Sequence, residues 1–115
     1  MKYLALIYAA PANAPQPGTP DFDAMMSGYA TLTSDLQSDG AYIVGEGLKP
    51  VETATSVRVR SGKIDIMDGP FAETKEQLAG FYLMEVADLD AAITWAARIP
   101  TAGYGTIELR PLMSY

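Results

Sequence analysis

The sequence predicts an α+β domain of βαββαβ, ferredoxin-like plan carrying an extra hairpin strand, and three observations predict it. Segments 2–8 and 80–86 are apolar almost without interruption, as strands covered on both faces are. Segments 22–36 and 89–99 repeat apolar residues at steps of three and four, which marks helices with one buried stripe. Between these helices lies a hairpin, in which 56–60 alternates, Ser61-Gly62 turns and 63–67 alternates back. A chain of 115 residues with this pattern is one domain, residues 1–115, long enough to bury a core without disulfides or metals.

The first element, 2–8, is read as a buried strand. Its apolar run and the following Ala12-Asn13-Ala14 resemble a leader with a cleavage site, but two tyrosines interrupt a run already at the short limit. Residues 10–20 hold four prolines and a glycine and form an irregular loop. Thr19 or Asp21 caps the next helix, and Pro20 is tolerated at its start. Phe22, Met25, Met26, Tyr29, Leu32, Thr33 and Leu36 make its apolar stripe, and Gly40 stops it. The methionines on this stripe read as core filling rather than as an adaptable binding surface.

Residues 42–48 form a second strand, loosened by Gly45 and Gly47 around Glu46. In the hairpin, Val57, Val59, Ile64 and Ile66 are expected on a buried face, with Arg58 and Arg60 on the other. After the strand at 80–86, Asp88 caps a short helix bearing Leu89, Ala92, Ile93, Ala96 and Ile99, and Pro100 ends it. Trp95 on that helix is expected to anchor packing rather than to form a ligand platform. Residues 106–110 make a last alternating strand.

Composition excludes several chemistries. The absence of cysteine removes disulfides, thiolate metal sites and cysteine nucleophiles. The absence of histidine removes Ser-His-Asp and Cys-His arrangements and HExxH metal sites. Only carboxylates and carbonyls remain as metal ligands, without the spacing of a calcium loop, so no metal or other cofactor is expected. A net charge of −6 with scattered basic residues disfavours direct nucleic-acid binding. No segment approaches the roughly 20 apolar residues of a membrane span, and a cytoplasmic location is expected.

Two helices cover one face of the sheet. Tyr3, Ala5, Ile7, Tyr82, Met84 and Val86 cannot share that face with Leu4, Leu6, Phe81 and Leu83, so apolar surface must lie on the open side. Sheet-to-sheet pairing of two copies would bury it, which predicts a homodimer. The alternative is a monomer whose loop 10–20 folds back over the open face.

The most individual stretch is Asp68-Gly69-Pro70-Phe71-Ala72-Glu73-Thr74-Lys75-Glu76. Asp-Gly-Pro is strong turn chemistry, and a plain structural account has Asp68 capping the turn, Phe71 plugging the core and Lys75 pairing with a neighbour. The stretch reads DGPFAETKE, and here the chain resembles the DGPFAETKE-type proteins of the YCII-related family. Gly45-Glu46-Gly47-Leu48, Val57-Arg58-Val59-Arg60, Trp95-Ala96-Ala97-Arg98-Ile99-Pro100 and Glu108-Leu109-Arg110-Pro111 extend the resemblance over essentially the whole chain. It implies a ferredoxin-like fold pairing as a dimeric α+β barrel. It also implies, for the wider family, an activity built on a histidine and an aspartate. Asp68 stands for the aspartate, but with no histidine in the chain that proposal does not carry over. A sigma-factor partner is a further implication of the resemblance.

Two functions follow as expectations. The first is a small-molecule-binding or regulatory module without turnover. The second is a histidine-independent enzyme acting on a small polar or aromatic metabolite, since a carboxylate can do acid–base work without imidazole. The candidate catalytic groups are Asp68 and Glu73 as general base. Lys75 and Arg110 are candidate anion-binding groups, and Tyr8 and Tyr82 are candidate cavity-lining residues.

Overall fold

In the computed structural model, which describes residues 1–115, the chain forms six strands and two α-helices. They are β1 (Lys2–Ala9), α1 (Pro20–Ser38), β2 (Tyr42–Gly47), β3 (Thr55–Arg60), β4 (Lys63–Asp68), β5 (Gln77–Glu85), α2 (Leu89–Ala96) and β6 (Thr106–Pro111). Short 3₁₀ turns occupy Pro11–Asn13, Val51–Thr53 and Pro100–Gly103.

The main sheet is antiparallel with strand order β2-β5-β1-β6. With the β3–β4 hairpin set aside, this is the ferredoxin-like βαββαβ order that the sequence predicts. The hairpin does not add a strand to it. β3 and β4 pair only with each other in a separate two-stranded sheet.

Local chemistry explains the boundaries. Thr19, rather than Asp21, caps α1: its Oγ1 accepts from the Phe22 N–H at 3.2 Å, with Pro20 at the first helical position. Asp88 caps α2, with Oδ1 accepting from the Ala91 N–H at 2.9 Å. The hairpin turn is left-handed at both central residues, with φ of 51° at Ser61 and 74° at Gly62, which matches the twist of the flanking strands. β5 starts three residues earlier than its apolar run suggests. Gly80 therefore sits inside it, because a Cβ there would lie 2.8 Å from the Glu46 carbonyl oxygen of β2.

Strand alternation sorts the sheet into two faces. Tyr3, Ala5 and Ile7 of β1 and Tyr82 and Met84 of β5 are buried under the helices with Leu32, Leu36, Ala92 and Ile99. Leu4, Leu6, Phe81 and Leu83 face the other way and are only half-buried. In register, Leu6 stands between Phe81 and Glu108, and Leu4 between Leu83 and Arg110. The sheet thus keeps an apolar open face, as the sequence requires.

Four expectations are corrected. Val57, Val59, Ile64 and Ile66 share one hairpin face, as Val57 opposes Ile66 and Val59 opposes Ile64. That face is 61%, 60%, 71% and 64% exposed at those residues, because the hairpin projects from the main sheet and nothing in the chain covers it. Phe71 does not plug the core; it is 74% exposed. Met26 is exposed, since the interior edge of the α1 stripe is filled by Leu32 and Leu36 instead. Leu89 and Ile93 are exposed because α2 meets the sheet through Ala92 and Ala96.

Trp95 packs half-buried against the core, and the Arg98 guanidinium lies 5.1 Å from its ring centroid. Arg98, two residues past the end of α2, also pairs with Asp35 of α1 and ties that turn to the helix. This is the anchoring role expected of the tryptophan.

A cleft walled by the 70–74 segment

The strand register places a cleft of about 610 Å³ at one end of the open sheet face. Tyr8 of β1 pairs with Leu78 of β5, and both side chains line it. This pairing depends on a β-bulge. Up to Ile7, β1 advances one for one against β5, reaching Gly80; the next pair is Tyr8 with Leu78, and Ala79 is left over. The bulge brings Leu78 beside Tyr8, where uninterrupted alternation would have put Ala79.

The opposite wall is Pro70, Phe71, Ala72, Glu73 and Thr74, and Val51 and Glu52 of a 3₁₀ turn close one side. The wall is tied down at both ends. At its start the Gly69 N–H donates to the Ala54 carbonyl at 2.7 Å, and the Ser56 hydroxyl donates to the Gly69 carbonyl at 2.8 Å. At its end the Thr74 hydroxyl donates to the Glu76 carbonyl at 2.6 Å, and the Thr106 hydroxyl donates to Glu76 Oε1 at 2.8 Å. The residues between these ties are exposed and present Phe71 and Glu73 to the cleft.

Of the residues singled out in the sequence, the structure brings Tyr8 and Glu73 into the cleft and leaves the others outside its lining. Asp68 ends β4 opposite Thr55, exposed, and its side chain caps nothing; the turn is held by Ser56 instead. Lys75 is exposed beyond the wall and pairs with no carboxylate. Arg110 lies on the open face of β6, where Nη1 donates to Glu108 Oε2 at 3.2 Å.

Tyr82 is on the helix side of the sheet, 6% exposed. Its hydroxyl bonds Thr33 Oγ1 at 2.8 Å, and its ring stacks on Tyr29 at 6.4 Å. Burial raises its pKa against the opposing hydrogen bond to Thr33, with neighbouring Tyr42 adding to the rise. Tyr29 is raised likewise, chiefly by burial, although its hydroxyl bonds Thr101 Oγ1 at 2.6 Å. These tyrosines form a core network, not a cavity lining.

Sequence reasoning missed Glu52, Phe71, Gln77 and Leu78. Lys49-Pro50 before Val51 was the available signal for a turn. Nothing local announces the bulge that aims Leu78. Chemically, the cleft combines two aromatic rings, aliphatic surface, and two carboxylates, Glu52 and Glu73, with no basic residue in its lining. No group of three or more carboxylate, histidine or cysteine side chains is gathered to hold a metal ion. No helix is long and apolar enough to cross a membrane.

These features define a small α+β domain with an open-faced four-stranded sheet and a loop-walled cleft. The chain belongs to the YCII-related domain family, whose model matches residues 1–115. A protein of Rhizobium meliloti (strain 1021), itself described as uncharacterised, is 47% identical over 70 residues, which make up 59% of this chain and 56% of that protein. The match thus spans little more than half the length of that relative. A solved structure of 5-chloro-2-hydroxyhydroquinone dehydrochlorinase from Burkholderia phenoliruptrix AC1100, in complex with 2,5-dihydroxybenzoquinone, aligns over 98% of this chain and 94% of that one. Its identity is 15% and its TM-score 0.49, a likeness that carries no functional argument.

Proposed function

We propose that this protein is a small-molecule-binding module whose ligand lies in the cleft between the 70–74 wall and Tyr8–Leu78. The observation that carries the proposal is the cleft itself. At about 610 Å³ it falls within the usual size range of ligand sites, roughly 300–1,000 Å³, and it joins apolar and aromatic surface to a few polar groups. The lining favours a neutral or cationic aromatic ligand carrying hydrogen-bond donors. Glu52 and Glu73 would accept from it, while an anion would meet two carboxylates and no cation. That revises the anion-binding role given to Lys75 and Arg110 in the sequence reading.

Within the family, the intact DGPFAETKE segment supports placement with the DGPFAETKE-type proteins, since that segment supplies the cleft wall. Two copies pair through their open sheet faces. Support comes from area: the chain exposes 7808 Å², against about 6,100 Å² for a compact monomer of this mass. The excess is of the order that a stable interface removes. The sigma-factor partnership implied by the resemblance gains no support from the cleft or the relatives, and the proposal does without it.

An enzymatic reading has one observation in its favour. Of the two bases named from the sequence, Asp68 and Glu73, Glu73 is the one that lines the cleft, where it stands with Glu52. Turnover of a bound ligand, abolished in Glu73→Gln with binding retained, would establish it.

The test is a thermal-shift screen of wild type and Phe71→Ala against neutral, cationic and anionic aromatic metabolites. A ligand at 100 times its Kd stabilises by about 2.7 kcal/mol, or roughly 11 °C for a chain of this size. The expected result is a shift with one uncharged or cationic class that shrinks in Phe71→Ala. No shift with any class, or equal shifts in both proteins, refutes the cleft.

A further inference from the structure

We infer that the β3–β4 hairpin is an intersubunit arm, with the face formed by Val57, Val59, Ile64 and Ile66 packing on a second copy of the chain. The inference rests on the pairing and the cleft proposed above. A lone two-stranded hairpin is marginally stable in water, yet this one carries four exposed aliphatic side chains on one side. A contiguous apolar face of that kind on a soluble chain marks an interaction surface.

Shape shows that the chain leaves the arm uncovered. The Cα radius of gyration is 16.1 Å, against about 13 Å for a compact domain of this length, and the chain is a slab of 48 × 43 × 19 Å. One sheet and one helix layer account for the thin dimension.

Charge selects the occupant. The other side of the arm carries Arg58, Arg60 and Lys63, three of the eight basic residues of the chain, beside the single acid Asp65. The remainder of the chain is strongly acidic, since the whole carries −6. Two such bodies repel when they approach; the basic side faces away from the apolar contact, but it still carries positive charge into the field of the other acidic body and lowers that repulsion. A second copy therefore supplies both the apolar area and the opposite charge, and two-fold symmetry lets both arms dock at once.

The arm also reaches the cleft covalently. β4 runs through Asp68 and Gly69 straight into the Pro70–Thr74 wall, and the start of the wall is held by Ala54 and Ser56 at the base of the arm. Docking of the arm orders the wall, so pairing and ligand binding are linked, each strengthening the other by the same factor.

Sedimentation equilibrium of the full chain tests this with wild type and the double variant Val57→Thr, Ile64→Thr, which keeps β-branching and replaces side chains exposed in the free chain. The expected result is a wild-type dimer and a variant dissociation constant raised about 100-fold or more, with the circular dichroism spectrum retained. A wild type that stays monomeric refutes the pairing and the arm together. A wild type and variant that pair equally well refute the arm alone and leave the cleft to its own thermal-shift test. Amide exchange of wild type gives a second measurement independent of any variant: protection across 57–66 should rise at least 10-fold from dilute to concentrated protein. Protection that does not change with concentration overturns the inference.

Discussion

The hydrogen bond between Thr33 and Tyr82 gives a sharp test of how the helix layer is held to the sheet. The two hydroxyls are 2.8 Å apart, 49 positions apart in sequence, and the tyrosine is almost wholly buried. Tyr82→Phe deletes one oxygen and leaves the Thr33 hydroxyl without its partner. Thr33→Val keeps the shape of that side chain and orphans the Tyr82 hydroxyl instead. Each single change should cost about 1–2 kcal/mol, since a stranded buried polar group costs more than the net worth of its bond. The double variant strands nothing and should lose little more than either single one, giving a coupling of about 1 kcal/mol. Unfolding entropy of about 2.1 cal/mol/K per residue makes 1 kcal/mol worth roughly 4 °C in Tm here. Each single variant should therefore melt about 4–8 °C below wild type. Urea denaturation of all four proteins, followed by circular dichroism, measures the cycle. Strictly additive losses would show that the two hydroxyls do not share a bond in the folded protein.

Burial raises the pKa of Tyr29 and Tyr82 above the ordinary value of 10.0. Their contribution is therefore intact below about pH 10 and is lost as pH climbs through the raised folded values, so Tm should fall on the alkaline side, less steeply in Tyr82→Phe. Gly45→Ala should cost about 1–3 kcal/mol, because its Cβ would lie 2.5 Å from Cδ1 of the Tyr82 ring, which the Thr33 bond keeps from swinging aside; thermal melting checks this. Leu36→Ala, at a position 1% exposed, should cost about 2–5 kcal/mol by the same assay. Phe71→Ala, by contrast, should leave the Tm of the free protein within about 2 °C of wild type, as its ring is exposed.

Sequence periodicity was sufficient where the chain buries its own residues. The β1 alternation of Tyr3, Ala5 and Ile7 against Leu4 and Leu6 identified both faces of the sheet, and Thr19, Asp88 and Ser61-Gly62 marked caps and a turn through short-range chemistry. It was insufficient where burial depends on what lies across space. Val57, Val59, Ile64 and Ile66 alternate like core residues, and alternation does not say which body covers them. Leu89 and Ile93 fit the α2 stripe, yet the small side chains of Ala92 and Ala96 set the line of closest approach. For the site, the DGPFAETKE segment was legible as a unit, but its members were not. Asp68 attracts attention as the first carboxylate of the segment, whereas the pairing of β4 with Thr55 leaves it on the arm, and Glu73 reaches the cleft because the wall after Pro70 turns back over Tyr8. Tyr82 was misplaced for a simpler reason: its parity on β5 puts it on the helix side with Met84.

The bulge at Ile7–Tyr8 makes some stretches of this chain indifferent to changes in length and others intolerant of them. Extra residues at Ser61-Gly62 would lengthen a tip that touches nothing else. Loss of Ala79 would also be absorbed, since Ala79 has no partner on β1 and its removal leaves Leu78 opposite Tyr8. The wall has no such spare residue. A chain one residue shorter between Gly69 and Glu76 could not keep both the tie of Gly69 to Ala54 and that of Glu76 to Thr106. Family members that have drifted in length should therefore carry their insertions at the arm tip, and keep a fixed count between Gly69 and Glu76.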